Sequence, residues 1–393
     1  MNETSLKIEK IDSLNSLETI KDVWNSLLEK SDTQTIELTY EWQMAFWQQF
    51  NQGAELFVLV IREGGSIIAI SPLKLIIKRV LGIKIRSLEL IAAQTSNYQD
   101  LIIGKSSEDV LVCILDYLVT SQGSWDRLSL RNIPETSPTA RFFSEKLGDY
   151  PFRRITETDQ CAYLVLDESW EEHNKNLGKH RRHILKNKKS RIEKEIGQFL
   201  LRRSATDDQL ISDLQVFYDS HRKRWDRTNT PSIFWDPRYC KFYSKAGLQL
   251  FHKGQLGLSV LEAGGLALAH LIYFTYGQNV LFQLVTYDPD YYKYSPTVVL
   301  LEQFIEDGPA NAIDEIDWGT YYPWKEPWVN HFKNKVHLTV FPKRILPSTD
   351  YSITKLYLAL RSRIRQHPRI LTMIKNIFRK VRILKWFSSQ GTE

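Results

Sequence analysis

Two stretches of this chain read alike at a distance of 200 positions: Leu56–Leu73 runs LFVLVIREGGSIIAISPL and Leu256–Tyr273 runs LGLSVLEAGGLALAHLIY. Each is an apolar strand, an acidic residue, Gly-Gly and a second apolar strand, the pattern of a hairpin turned on glycine. The order of elements around both copies also repeats. A Trp-bearing helical region precedes each pair, and further strand and helix follow. An internal duplication in which each copy buries its own sheet predicts two fused domains rather than a solenoid. At 393 residues the chain also exceeds the span one core sustains, which is roughly 250–300 residues.

Periodicity predicts helix over 17–52, with Leu17, Ile20, Val23, Trp24, Leu27 and Leu28 on one face, and again over Glu41–Phe50. Strands are expected at Glu55–Arg62, Ser66–Leu75, within 86–104 and at Arg127–Arg131, with a helix over 108–121. In the second copy helices are expected over 170–196 and 207–227, and strands at Gln255–Glu262, Leu266–Thr275 and Val280–Thr286. Asp149-Tyr150-Pro151 breaks the pattern and sets the expected boundary. The expected division is therefore 1–155, 156–346 and a tail, 347–393.

The charge is uneven. The net value is +6, yet residues 351–393 hold ten Lys and Arg against one acid, so residues 1–350 sum to −3. A body of that charge is not expected to bind DNA. In the tail, Ile370, Ile374, Ile377, Phe378, Val381 and Leu384 share one helical face, after a break at Pro368. A basic amphipathic helix of this kind suits peripheral contact with anionic lipid. Cys113, Cys161 and Cys240 have neither metal-ligand spacing nor a disulfide framework, so a cytoplasmic protein without a metal is expected. The run Lys175–Lys194 carries nine Lys and Arg; it reads either as a solvated helix face or as a nucleic-acid surface. No G-x-x-x-x-G-K-[ST], H-E-x-x-H or G-x-S-x-G stretch occurs, which removes support for P-loop, zincin and serine-hydrolase chemistry.

The most informative region is 279–325. A strand over Val280–Thr286 enters a loop rich in tyrosine, and a helix opens near Pro296, with Ser295 placed to cap it by its side chain. The free N–H groups and positive dipole of such a helix start suit a phosphate. His270, mid-strand in the second copy, is a candidate general base or a core histidine.

The strings TYDPDYYKYSPTVVLLEQFI (Thr286–Ile305) and IDWGTYYPWK (Ile316–Lys325) resemble the FemABX-like branch of the GNAT acetyltransferases, including the CelD-like proteins of polysaccharide gene clusters. The early Trp-rich helix, Ser71-Pro72-Leu73, Tyr98, Asp100 and FYDSHRKRW (Phe217–Trp225) fit the same branch. Thr297 departs from it, standing where relatives carry glycine, and Gly319 lacks an obvious second glycine beside it.

The resemblance implies an α/β fold of two tandem GNAT-like domains, each a mixed twisted sheet flanked by helices. It implies an acyl-CoA (acetyl-CoA) co-substrate gripped by Tyr287, Tyr294, Ser295, Pro296, Thr297 and Val298. It implies Lys325 near the reacting carbonyl, Asp100 toward the acceptor, and Tyr98, Arg222, Arg224, Trp225, Asp288, Tyr291 and Trp324 around the acceptor. That acceptor would be an amine or hydroxyl of a small polar metabolite or a sugar precursor. Two alternatives stand beside it: an aminoacyl-tRNA-dependent peptidyltransferase, and a degenerate accessory protein of polysaccharide assembly.

Overall fold

The computed structural model describes residues 6–166, 179–228, 231–308 and 313–365. The first half runs β1 (Lys7–Ile11), α1 (Leu14–Glu18), α2 (Lys21–Leu28), α3 (Tyr40–Phe50), β2 (Ala54–Leu56), β3 (Val58–Glu63), β4 (Ser66–Ser71), β5 (Leu73–Val80), β6 (Ile83–Leu90), β7 (Ile102–Ile103), α4 (Ser107–Thr120), β8 (Arg127–Pro134), α5 (Pro138–Glu145) and β9 (Phe152–Val165). The second runs α6 (Lys179–Glu195), β10 (Phe199–Arg203), α7 (Asp207–Asp226), α8 (Pro237–Phe251), β11 (Leu256–Ala263), β12 (Leu266–Tyr276), β13 (Asn279–Tyr287), α9 (Pro296–Glu306), β14 (Glu315–Thr320), β15 (His331–Pro342) and α10 (Ile345–Arg365).

Both Gly-Gly hairpins form, β3–β4 and β11–β12, with left-handed glycines at 64, 65, 264 and 265. Their continuations differ. Pro72 has no N–H to give a ladder, so it ends β4 and hands the chain to another sheet as β5. The second copy lacks this proline, and β12 runs on without a break in the chain. The single helical region expected over 17–52 divides into α1, α2 and α3.

Four strands form one sheet, in the order β1-β3-β4-β7. Eleven form the other, in the order β10-β11-β12-β13-β14-β9-β15-β8-β6-β5-β2. The duplication is visible within it. β6 and β8 are parallel neighbours joined over Ser87–Glu89 with Arg127–Ser129, as β13 and β14 are over Asn279–Leu281 with Glu315–Asp317. The helices that lie between the two strands of each pair, α4 and α9, both start on a left-handed serine, Ser106 (φ 53°) and Ser295 (φ 52°).

The expectation that each copy closes its own sheet is corrected here. The strand that follows β8 in sequence, β9, pairs with β14 of the second half, while β15 returns to pair with β8 of the first. β9 and β15 then pair with each other from Phe152–Pro342 to Tyr163–His331. The exchange leaves neither half with an open edge at that position, and it makes the large sheet continuous through both. Residues 155 and 156 lie inside β9.

The halves also share a core. Trp42 of α3 is fully buried, its ring 4.6 Å from Phe242, 5.0 Å from Phe274 and 5.8 Å from Tyr243, all in the second half. Leu38 and Phe46 join the same cluster as Leu258, Val260 and Ile272. On the opposite face of the second half, α9 packs Val299, Leu300 and Phe304 against Leu271 and Tyr273. Of the tail, α10 alone is described; its Asp350 pairs with Arg127 at 2.5 Å. The amphipathic face expected over 370–384 lies outside the described residues.

Candidate active site

β13 and β14 part after Leu281 and Asp317. β13 continues to Tyr287 and β14 to Thr320, so the two diverge into a splay. A register shift between Ile272 and Tyr273 makes Gln283 the extra residue of a bulge on β13, just past the point of separation. A bulge frees its residue from the ladder and re-aims the strand.

The two faces of this splay differ chemically. Toward α9 it is aromatic: Trp318 lies 4.8 Å from Phe282, 5.7 Å from Trp328 and 6.3 Å from Trp324. Trp318 Nε1 is buried with no hydrogen-bond partner among the described residues. Toward the first half it is polar. Asn97 Nδ2 donates to Gln283 Oε1 at 2.8 Å, and Gln283 Nε2 donates to the Thr95 carbonyl at 3.1 Å and to the Tyr243 hydroxyl at 3.2 Å. Tyr98 donates its hydroxyl to Asp317 Oδ2 at 2.8 Å, and Lys333 pairs with the same oxygen at 2.6 Å. Asp317 Oδ1 accepts the Gly319 N–H at 2.6 Å. Burial opposes the charge on Lys333, but Asp317 and Glu315 outweigh it and raise its pKa. Burial, then the nearby Asp317, pushes the Tyr98 phenol well above its ordinary value.

The loop that carries Thr95, Asn97 and Tyr98 belongs to the first half. It lies across the corresponding gap there, where Asn132 Nδ2 donates to the carbonyls of Ala93 and Ser96 at 3.1 and 2.9 Å. Glu37 fixes it from behind, accepting the Asn97 N–H at 2.6 Å and the Tyr98 N–H at 2.8 Å. Complete burial pushes the Glu37 carboxyl up to about 8.

Gly319 explains itself in this setting. Its φ is +64°, and a Cβ there would stand 2.5 Å from Asn97 Oδ1. We expect Gly319→Ala to lose about 1–2 kcal/mol from left-handed strain alone, plus the cost of displacing Asn97. Urea unfolding measures it. A variant as stable as wild type would show that the loop does not pack against β14.

Lys325 sits at the rim, in the short turn Pro323–Trp328. Its ammonium donates to the carbonyls of Trp318 and Thr320 at 2.5 and 2.7 Å, on the strand that forms one side of the splay. Its neighbour Trp324 is about half exposed, at 51%.

The helix start differs from expectation. Ser295 is left-handed and its side chain caps nothing. Its carbonyl instead takes the N–H groups of Val298 and Val299, at 3.0 and 3.3 Å. Pro296 has no N–H, so Thr297 carries the amide at the opening. Thr297 Oγ1 is buried with no partner among the described residues. Tyr294 turns inward and donates to Glu195 of α6 at 2.9 Å, and Lys188 of α6 donates to the Lys293 carbonyl at 3.0 Å, which brings the basic helix beside this turn.

The remaining expected residues divide into groups. Asp288 accepts from Lys223 at 2.8 Å and from the Asp290 N–H at 3.0 Å, so it holds the tyrosine loop to α7. Tyr291 lies in that loop, 6.5 Å from Tyr294. Arg224 donates to the Val285 carbonyl at 3.3 Å and stacks 4.8 Å over Tyr287, at the end of β13. Arg222 points elsewhere, to Asp219 and the Phe234 carbonyl. Trp225 stacks 5.7 Å from His221. His270 is one strand removed from the splay, fully buried beside Phe217, and burial lowers its pKa to about 4, so it stays neutral. Asp100 is anchored within the first half, accepting from Thr33 at 2.6 Å and the Leu101 N–H at 2.8 Å, with burial raising its pKa.

Sequence reasoning missed Glu37, Asn97, Gln283, Asp317 and Lys333. Only Asp317 and Asn97 carried a signal, one inside the quoted IDWGTYYPWK and the other next to Tyr98.

A mixed sheet parted at a parallel pair, a bulge on its fourth strand, a helix at the mouth and a second copy of the plan are the features of a GNAT-type fold, present here in tandem. Residues 179–326 match the family model for the acetyltransferase (GNAT) domain. In overall fold the chain is similar to FemX, at 9% identity and TM-score 0.55, covering 84% of this chain and 96% of that one. It is also similar to a conserved protein of unknown function from Bacteroides thetaiotaomicron, at 10% identity and TM-score 0.52, covering 85% and 100%. A third likeness is to the C-terminal domain of a putative lysylphosphatidylglycerol synthetase from Agrobacterium fabrum, at 12% identity and TM-score 0.51, covering 87% and 96%. No curated protein matches the chain. Among the described residues no helix is long and apolar enough to cross a membrane.

Proposed function

We propose that the chain transfers an acyl group from acyl-CoA to an amine or hydroxyl of a small polar metabolite or a cell-envelope sugar precursor. The observation that carries this reading is the splay between β13 and β14 with the Lys325 ammonium fixed at its rim. Acyl transfer needs a site for the negative charge that develops on the carbonyl oxygen, and a fixed ammonium stabilises it.

The residues present fit such a donor. Thr297 offers an N–H and an unpartnered hydroxyl at the helix start, and α6 brings basic side chains alongside. Phe282 and Trp318 give the aromatic wall along which an uncharged arm would lie. Arg224, at the end of β13, suits an anionic group on the acceptor.

Calorimetry with acetyl-CoA tests the reading, with binding in the micromolar range expected. Absent acetyl-CoA binding together with clear binding of charged tRNA would favour the peptidyltransferase, for which the nine Lys and Arg of 175–194 are the supporting feature. Absence of both would leave a non-catalytic accessory role.

A further inference from the structure

We propose that Glu37 is a positioning residue for the second half's cleft: from the first half, it fixes the Thr95–Tyr98 loop that forms the polar wall of the splay. The inference rests on the reading that this splay receives the acyl donor.

Glu37 is fully buried and sits at the centre of the loop's attachments. Its two carboxylate oxygens take two consecutive backbone N–H groups, those of Asn97 and Tyr98. Its own carbonyl accepts from Gln43 Nε2 at 2.7 Å and Gln99 Nε2 at 2.8 Å. Gln43 in turn accepts the Ala92 N–H at 3.2 Å, at the loop's other end. Beyond the loop the chain of contacts crosses to the second half, through Asn97 to Gln283 and through Tyr98 to Asp317. Every link is a direct hydrogen bond, and Gln283 is the bulged residue at the point where the strands part.

An acid is a costly way to fill this space. Burial disfavours its charge, and a neutral side chain would avoid that. What only a carboxylate supplies is two acceptor oxygens for two adjacent N–H groups, with no donor among them to clash. The charged groups facing Glu37 are Lys335 on β15, which favours ionisation, and Asp317 on β14, which opposes it. Ionisation strengthens both bonds to the loop.

The test compares Glu37→Gln with Asp126→Asn, another buried acid of the first half, which is tied to Arg86 and Arg344 and makes no contact with the loop. Acetyl-CoA affinity is measured by calorimetry from pH 7 to 9, and backbone amide exchange is followed at Asn97, Tyr98, Gln283 and Gly319. At pH 9, where Glu37 is ionised, Glu37→Gln should weaken binding about fivefold or more, by lowering the population of the competent wall, with the difference shrinking toward pH 7. The wild-type affinity should tighten as pH rises through about 8, where Glu37 ionises, and the variant should lose that dependence. Asp126→Asn should leave affinity within about twofold, as expected for an independent site. Exchange should quicken in Glu37→Gln at Gln283 and Gly319, across the interface, as well as at Asn97 and Tyr98. Quickening confined to Asn97 and Tyr98, or unchanged affinity and pH profile, would overturn the proposal. A wild type that binds no acetyl-CoA would sink the donor reading instead; the exchange pattern at Gln283 and Gly319 then decides the role of Glu37 by itself.

Discussion

Lys325→Met should lower kcat/KM for acyl transfer by ~10²–10³ while acetyl-CoA binding changes little, the loss typical of removing one preorganised group at a developing oxyanion. The expectation follows from how the ammonium is held. Two carbonyls of β14, those of Trp318 and Thr320, fix Nζ at the edge of the splay. A charge held in place acts on the transition state without reorganising. Methionine keeps an unbranched side chain one atom shorter and removes the donors, so the two carbonyls lose their partner as well. Thermal melting controls for that structural cost. Lys325→Arg keeps the charge with a different geometry and should recover part of the rate. Steady-state kinetics with the identified acceptor give the answer, and a Met variant at full rate with an unchanged melt would make Lys325 a structural clip on β14 and nothing more.

Trp42→Ala should destabilise the whole protein by about 3–5 kcal/mol, the range for a fully buried large aromatic. The ring lies on three aromatic residues of the second half, and Nε1 donates to Ser96 Oγ at 3.1 Å, so the substitution loosens the core and the loop together. The more telling outcome is cooperativity. With the core shared and β9 and β15 exchanged, the eleven-stranded sheet is complete in neither half. Wild type and variant should therefore each unfold in one transition, with circular dichroism and tryptophan fluorescence coincident. Two separated transitions would show that the halves are independent units and that the shared core contributes little.

The sequence made the duplication legible because a hairpin is a local object. Gly64-Gly65 and Gly264-Gly265 need left-handed backbone, and alternation on either side needs two strands. The start of α9 was legible for a similar reason: Pro296 has its φ preset and no N–H to lose. The mode of capping was not, since a left-handed Ser295 depends on the preceding turn at Pro289–Tyr294, which α6 and α7 hold in place. His270 illustrates a reading with the right alternatives and no local means of choosing between them. Its neighbours in sequence are apolar, and only the packing of α7 shows that the ring is buried beside Phe217.

By itself, then, the sequence determined two related α/β units, the strand and helix start at Val280–Thr286 and Pro296 in the second, and the motif that carries Lys325. Tertiary structure decided that β9 and β15 would trade places and that a first-half loop would wall the second-half cleft. The reason is separation along the chain. Asn97 meets Gln283, and Tyr98 meets Asp317, across 186 and 219 positions, and hydrogen bonds over such distances leave no period or spacing in the residues that make them.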